Sequence, residues 1–427
     1  MRSSAASDVY KRQDIESMLD KRLLGLIIIV GLVAGLIGSF YTHLLHYIQH
    51  FMYAYSTSDG LTFGQAVARV SPEHRLLALL ACGLVGGVGW VLIHRYGDPL
   101  VDIKKAVQDS TKEMPPLTTF IHATLQIITV GMGSPLGREV APREASAGIM
   151  SGLLRYVDMR PEDKSLIIAC AAGAGLAAVY NSPLSAAIFT LETLLITWNV
   201  RAMSAALLSC GLATLVVRQA GIGDLVQYTM PQPPLYGNYQ EFAIVLGAVI
   251  AIGVVLFDKT QSLLPKFDRK SPKMIVIALL SFAVIGVMAM YFPEILGNGK
   301  AGNQLTFTDL VGWDYALGLL ATKWIAVLLA LMAGAYGGRI TPSMMLGSTL
   351  ALAFAALWSI MVSPVHLGFA AFIGAVIFLG LAQKMPLTSC VFMLELSRFS
   401  VEMCFPMALA MGSALITQQI VKARFQL

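Results

Sequence analysis

Pro183-Leu184-Ser185-Ala186-Ala187-Ile188-Phe189-Thr190-Leu191-Glu192 recurs later in the chain as Pro386-Leu387-Thr388-Ser389-Cys390-Val391-Phe392-Met393-Leu394-Glu395. Each copy opens on Pro-Leu followed by a hydroxyl residue and closes on Leu-Glu. Proline and glutamate are scarce in apolar segments, so a chance match is the weaker reading. Upstream of each copy lies a glycine turn with an arginine and a proline. These turns are Gly137-Arg138-Glu139-Val140-Ala141-Pro142 in the first half and Gly338-Arg339-Ile340-Thr341-Pro342 in the second. Order and approximate spacing are kept, as expected of a transporter made of two related halves that hold substrate between discontinuous helices near the midplane.

The composition around these motifs demands a bilayer. Of 427 residues, 56% are hydrophobic and 13% charged, with a mean hydropathy of +0.70, too apolar for an ordinary soluble enzyme. Apolar stretches recur at Leu23 to Ile37, Leu76 to Ile93, Phe242 to Leu256, Met274 to Met290, Ala316 to Leu331, Leu350 to Met361 and Leu367 to Leu381. Several approach the ~20 residues of a spanning helix. Ile167 to Tyr180, Pro183 to Thr193 and Pro386 to Leu396 are shorter and carry Gly or Pro, which predicts broken or re-entrant helices buried in protein or lining a polar cavity. The fold expected is an all-α integral membrane protein. Its domain plan is an N-terminal segment over 1–22, a first half over 23–220 and a second over 221–427, forming one transmembrane domain without appended cytoplasmic domains. Met1 to Arg12, Ser/Ala-rich and unlike the apolar remainder of the chain, are set aside from the fold reading.

The remaining composition excludes more than it adds. Lys11, Arg12, Lys21 and Arg22 precede the first span and place that end in the cytoplasm. The net charge of +5 is modest and does not indicate nucleic-acid binding. Cys82, Cys170, Cys210, Cys390 and Cys404 form no disulfide framework or metal spacing and read as small packing residues. His43, His46 and His50 share a helical face without a nearby carboxylate or thiol, so no metal is expected, nor any cofactor. Gly83-Leu84-Val85-Gly86-Gly87 and Ala171-Ala172-Gly173-Ala174-Gly175 let helix backbones approach closely.

Chemistry concentrates in Gly131-Met132-Gly133-Ser134-Pro135-Leu136-Gly137-Arg138-Glu139-Val140-Ala141-Pro142-Arg143-Glu144. Glycines lead into a helix start, where unpaired N–H groups and the positive dipole end attract an anion. Gly137 and Val140 belong to that start. Glu139 stands where an anion would sit and can act as a tethered competitor that leaves when protonated or displaced. A structural pair with Arg138 or Arg143 is the plainer alternative. Gly337-Gly338-Arg339-Ile340-Thr341-Pro342 offers a second such start without a carboxylate, with the Thr341 hydroxyl as a further donor. There the plainer alternative is a simple Gly/Pro turn.

This ordered set resembles the CLC family of anion channels and transporters over about residues 23 to 421. The resemblance implies two inverted structural repeats of tilted, partly discontinuous helices and a homodimer with one pore per subunit. It implies Glu139 as the moving gate, and anion contacts from Gly97, Asp98, Gly137, Val140, Gly338, Arg339, Ile340 and Thr341. Departures from the chloride type are informative. Where those members carry Gly-Ser-Gly-Ile-Pro this chain has Gly97-Asp98-Pro99-Leu100-Val101, with Asp98 in place of the serine. Asp98 is expected to cap the following helix or to lie in a solvated vestibule. Thr193 takes the place of the inner proton-transfer glutamate, and no tyrosine follows Tyr336. The altered first motif and the Gly297-Asn298-Gly299-Lys300-Ala301-Gly302 loop look most like the bacterial fluoride/proton antiporter branch, located in the inner membrane. Thr341 and neighbouring amides could supply the close donors that dehydrated fluoride needs.

Glu192 and Glu395 are expected at helix ends near water, with a proton relay as the sharper role for Glu192. The function expected is a fluoride/proton antiporter that exports fluoride. The alternative is a chloride channel or chloride/proton antiporter of the same family. A membrane-embedded hydrolase is disfavoured, since no Ser/His or His/His/Glu set stands at catalytic spacing.

Overall fold

The computed structural model describes residues 21–222, 226–231, 239–398 and 401–425. Residues 1–20 lie outside the described residues, and with them nearly all of the predicted N-terminal segment. Among the described residues there are seventeen α-helices and no strand. The first nine are α1 (Lys21–Tyr53), α2 (Phe63–Arg69), α3 (Pro72–Tyr96), α4 (Ile103–Gln108), α5 (Pro116–Gly131), α6 (Val140–Leu153), α7 (Pro161–Tyr180), α8 (Pro183–Phe189) and α9 (Val200–Gln219). The remaining eight are α10 (Tyr239–Ser262), α11 (Lys273–Tyr291), α12 (Lys300–Phe307), α13 (Trp313–Met332), α14 (Ile340–Met361), α15 (Leu367–Ala382), α16 (Pro386–Ser397) and α17 (Cys404–Phe425).

Among the described residues nine helices are long and apolar enough to cross a membrane. They include α9 and α17, which stand outside the stretches singled out above. Large apolar side chains such as Leu36, Leu77, Leu280 and Ile416 are exposed on them, the surface that a bilayer would solvate. The expectation of a broken helix over Ile167 to Tyr180 is corrected. That stretch is the end of a continuous 20-residue helix, and 89% of its apolar window is buried inside the protein. Its Ala/Gly texture reflects crowding by neighbouring helices. The other two predicted short pieces are short: α8 has 7 residues, followed by a π-helical turn over Thr190–Leu195, and α16 has 12.

Both glycine-rich runs lie at helix crossings. A Cβ on Gly83 would stand 2.8 Å from Phe282 Cβ, and one on Gly175 would stand 2.7 Å from the Pro142 carbonyl oxygen. Glycine therefore lets α3 press on α11 and α7 press on the start of α6. Cys82, Cys170 and Cys210 are buried, as packing residues should be, whereas Cys404 is exposed and departs from that reading.

The repeated Pro-Leu…Leu-Glu segments are joined by their glutamates. Glu192 accepts the Leu387 and Thr388 backbone N–H groups at 2.9 and 2.8 Å, and the Thr388 hydroxyl at 2.6 Å. Glu395 accepts the Leu184 and Ser185 N–H groups at 3.0 and 2.7 Å. Each carboxylate thus satisfies the open N-terminus of the other repeat's helix, where charge-assisted bonds and the helix dipole act together. A glutamate near the end of one segment can reach the start of the other, in both directions, only if α8 and α16 run antiparallel. Matching segments that run antiparallel make the halves inverted copies. Replacing both glutamates by alanine should lower stability by on the order of 2 kcal/mol per carboxylate removed, read as a lower thermal unfolding midpoint in detergent. An unchanged midpoint would mean that these caps contribute nothing.

Candidate functional site

The two glycine turns meet. Gly137 N–H donates to the Gly338 carbonyl at 2.6 Å and Gly338 N–H donates back to Gly137 at 2.7 Å, an isolated antiparallel bridge. The bridge sets the start of α6 beside the start of α14. Glu139, the N-cap residue of α6, is fully buried. Its Oε1 accepts the Ile340 N–H at 2.8 Å, and its Oε2 accepts the Tyr180 hydroxyl at 3.1 Å. Tyr180 in turn lies 2.9 Å from the Thr341 hydroxyl. With Tyr180 donating to Glu139, Thr341 donates to Tyr180, so the two hydroxyls form a polarised chain ending on the carboxylate.

Chemically, this carboxylate occupies the N-terminus of a 22-residue helix. A peptide N–H and a phenol converge on it in a space closed to water. A small anion would need those same donors, and a carboxyl group that gains a proton loses its claim on them. Among the described residues no ion pair involves Glu139. The alternative of a structural pair is therefore not what the geometry shows. Arg138 instead stands over the Tyr180 ring at 5.9 Å, Arg143 over Phe189 at 4.4 Å, and Arg339 donates to Gln261 at 2.8 Å.

Of the other residues named as anion contacts, Gly137, Gly338, Ile340 and Thr341 gather around Glu139, and Val140 follows it in the chain as the first residue of α6. Gly97 and Asp98 do not join them. Both are exposed, and the Asp98 backbone N–H donates to the Thr118 hydroxyl at 3.2 Å. The expectation that Asp98 caps the next helix is corrected: Asp102 is the N-cap of α4 and accepts the Lys104 N–H at 2.8 Å. An Asx cap reaches only two or three residues ahead, and Asp98 stands too far upstream. Thr193 is buried, with its hydroxyl turned to the Phe189 carbonyl at 2.7 Å. Glu192 caps the start of α16, in keeping with the helix-end position expected of it. His46 and His50 stack on one another at 6.3 Å, and His50 meets Tyr55 edge-on at 4.5 Å.

Two residues went unnoticed in the sequence. Tyr180 supplies beside Glu139 the phenol sought in vain after Tyr336, but nothing around a tyrosine at the end of an apolar helix marks it as a partner of a residue 41 positions earlier. Lys323 is fully buried in α13 and donates to the Ile295 and Gly297 carbonyls at 2.9 and 3.0 Å. Gly297 N–H donates to the Gly133 carbonyl at 3.1 Å, so Lys323 pins the Gly297 loop against the turn that leads to Glu139. A lysine inside an apolar span was the available signal, because such a charge is expensive unless it has work to do.

A family profile described as voltage gated chloride channel matches residues 78–419. The chain belongs to that family. Among its CLC relatives, the "H(+)/Cl(-) exchange transporter ClcA" of Vibrio vulnificus (strain YJ016) is 24% identical over 93% of this chain and 86% of its own length. The "Voltage-gated ClC-type chloride channel ClcB" of Citrobacter koseri is 24% identical over 77% of this chain and 79% of its own. Two solved CLC structures share the fold. A "slow cyanobacterial Cl-/H+ antiporter" matches with a TM-score of 0.79 at 18% identity, covering 94% of each chain. A "CLC-type fluoride/proton antiporter" matches with a TM-score of 0.72 at 19% identity, covering 93% of this chain and 96% of the other. CLC membership and the nine apolar helices make this a multi-pass membrane protein. The likeness extends to both chloride and fluoride members, and it does not single out the fluoride branch.

Proposed function

We propose that this CLC protein is a secondary anion/proton antiporter of a bacterial cell membrane, with Glu139 as the group that serves both ions. The observation that carries this reading is the carboxylate's position: sealed from water, hydrogen-bonded to the Ile340 N–H across the bridge that joins the two helix starts. Ionised, Glu139 fills the anion's place. Protonated, it gives up its charge-assisted bonds, the donors of Ile340 and Tyr180 become available, and an anion enters as the carboxyl swings out. One group cannot be both seated as an anion and carrying a proton, so the two movements alternate.

For the anion we propose fluoride, exported. A compact set of hydroxyl and N–H donors suits an ion that is small and strongly hydrated, and Asp98 stands where chloride-type members have serine. Chloride is the second reading, favoured by the names of the ClcA relatives. Purified protein in liposomes separates them. Fluoride and chloride efflux are followed with ion-selective electrodes while external pH reports protons. The fluoride reading expects fluoride efflux to exceed chloride efflux by about tenfold or more, the discrimination that 1.4 kcal/mol would supply, with protons moving uphill against it. Faster chloride flux would replace it by chloride/proton exchange, and anion flux without protons would leave a channel. The family likeness also leads us to propose a homodimer, which mass determination in detergent tests.

A further inference from the structure

A fully buried Glu139 needs a route by which protons reach it. Thr193 cannot provide one, since a threonine hydroxyl does not titrate and this one is turned to the Phe189 carbonyl. Another cluster of titratable groups stands nearby. Glu144 lies five residues beyond Glu139 on α6, a rise of ~7.5 Å. Its Oε2 is 3.0 Å from His122 Nδ1 on α5, and Gln126 Nε2 donates to the same oxygen at 2.7 Å. The His122–Glu144 contact requires one proton, on either the imidazole or the carboxyl, so the pair is built to hold a proton in one of two places.

The pair continues outward. The His122 ring meets the Tyr336 ring edge-on at 4.3 Å. The Tyr336 hydroxyl lies 2.9 Å from His94 Nε2, and Tyr336 directly precedes Gly337 and Gly338 of the second turn. His94 is half-buried in the last turn of α3 and lines a cleft with Trp90, Met274, Gly334 and Arg269. Arg95 follows His94 in the chain, and Arg269 and Lys270 face it; such basic clusters mark the cytoplasmic side. That agrees with an α1 that starts in the cytoplasm. On the inner side, His122 Nε2 and Gln126 Oε1 are buried atoms without a hydrogen-bond partner, although their residues are only 1% exposed. Two unpaired polar atoms beside a shared proton are costly unless the site exchanges protons or water.

We propose that the buried His122–Glu144 pair, opened toward the cytoplasm by Tyr336 and His94, is the way-station through which protons reach Glu139. The Tyr336 hydroxyl is bonded to His94 and only its ring meets His122, so a proton that enters beside His94 is carried past that ring by water and is taken up at the unpaired His122 Nε2. His122 passes it to Glu144, and Glu144 to the carboxylate of Glu139 once that side chain leaves Ile340. Each transfer moves one proton: His122 gains one at Nε2 and gives one up from Nδ1, so the ring changes tautomer and must exchange its Nε2 proton back to Nδ1 before the next cycle, whereas Glu144 returns to the carboxylate. Arg143 on α6 faces Glu139, Glu144 and Asp102, Tyr41 on α1 faces Glu144, and Arg269 and Lys270 face His94. Arg269 also covers the Tyr336 ring at 4.4 Å.

The proposal rests on the proton coupling proposed above, and the test keeps the two apart. Proton and anion fluxes are measured together in liposomes for the wild type, E139Q, E144Q, E144D and H122N, each first shown to be monodisperse in detergent. The expected result is a proton-to-anion flux ratio lowered by about tenfold or more in E144Q and H122N, the minimum effect of losing a positioned proton carrier. E144D, which still titrates, keeps a ratio near wild type. A merely structural pair would change total flux or monodispersity and leave that ratio alone. If E144Q does not fold, H122N and a Tyr336→Phe variant decide by the same ratio. Coupling retained in E144Q and H122N while E139Q loses it overturns the way-station alone. A wild type that moves no protons overturns the antiport reading beneath it.

Discussion

Glu139→Gln should move anions without moving protons. Glutamine nearly matches glutamate in shape: its one oxygen can take the Ile340 N–H in place of Oε1, while its NH2 replaces the Oε2 that accepts from Tyr180 and instead donates to the Tyr180 oxygen, whose hydroxyl turns to Thr341. What it lacks is charge and a titratable proton. Hydrogen bonds to charged groups contribute about 1.5–3 kcal/mol against about 1 for neutral ones. Over two bonds the tethered side chain then competes more weakly with the permeating anion by on the order of 1–4 kcal/mol. Each 1.4 kcal/mol is roughly a tenfold change in occupancy, so anion flux should rise by about tenfold or more. Proton flux should fall to the leak of protein-free liposomes. Anion movement in the variant should also lose its dependence on pH. In the wild type, acid favours the protonated, displaced carboxyl and so promotes anion entry. In the variant no such equilibrium exists. Proton pumping that survives the substitution would remove Glu139 from the coupling mechanism altogether.

Gly338→Ala should evict Glu139 without touching it. Gly338 is buried and its backbone lies outside the left-handed region, so alanine is tolerated conformationally. The obstacle is space: a Cβ there would overlap Oε1, Oε2 and Cδ of Glu139. Either the carboxylate swings out or the Gly137–Gly338 bridge opens. The first outcome is the cheaper, because a side-chain rotamer yields before two backbone bonds of 2.6 and 2.7 Å do. The variant should therefore behave as a protein with its gate held open, with fast anion flux and a strongly reduced proton-to-anion ratio. A double-mutant cycle with E139A isolates the cause. If eviction is the whole effect, adding G338A to E139A changes flux no further. An independent loss in the double variant would show that the bridge itself had failed.

Much of this site was legible in the residues because its parts are local. A glycine turn, an adjacent carboxylate and a proline just inside the next helix announce a helix start that attracts an anion, wherever the rest of the chain goes. The pairing of the two turns was foreshadowed by their repetition. The error at Asp98 has the same local origin: the position matched to a serine suggests a cap, but the N-cap is Asp102, four residues later, and the helix begins at Ile103. At Ile167 to Tyr180 a short apolar run with glycines predicts a break, but the stretch belongs to a continuous helix buried by its neighbours.

The chain's apolar runs determined by themselves that it lives in a bilayer, and its repeated motifs that it has two related halves with a carboxylate at a helix start. Those properties depend on hydropathy and on residues within a turn of each other. Only the tertiary structure decided that Tyr180 and Ile340 hold Glu139, that Glu192 and Glu395 cap each other's repeats, and that His122 meets Glu144. In most of these contacts the partners come from helices far apart in the chain, and in all of them a buried polar group must find a partner where water is excluded. Which partner it finds is set by how the inverted halves pack, a property of the assembled helices that no local pattern encodes.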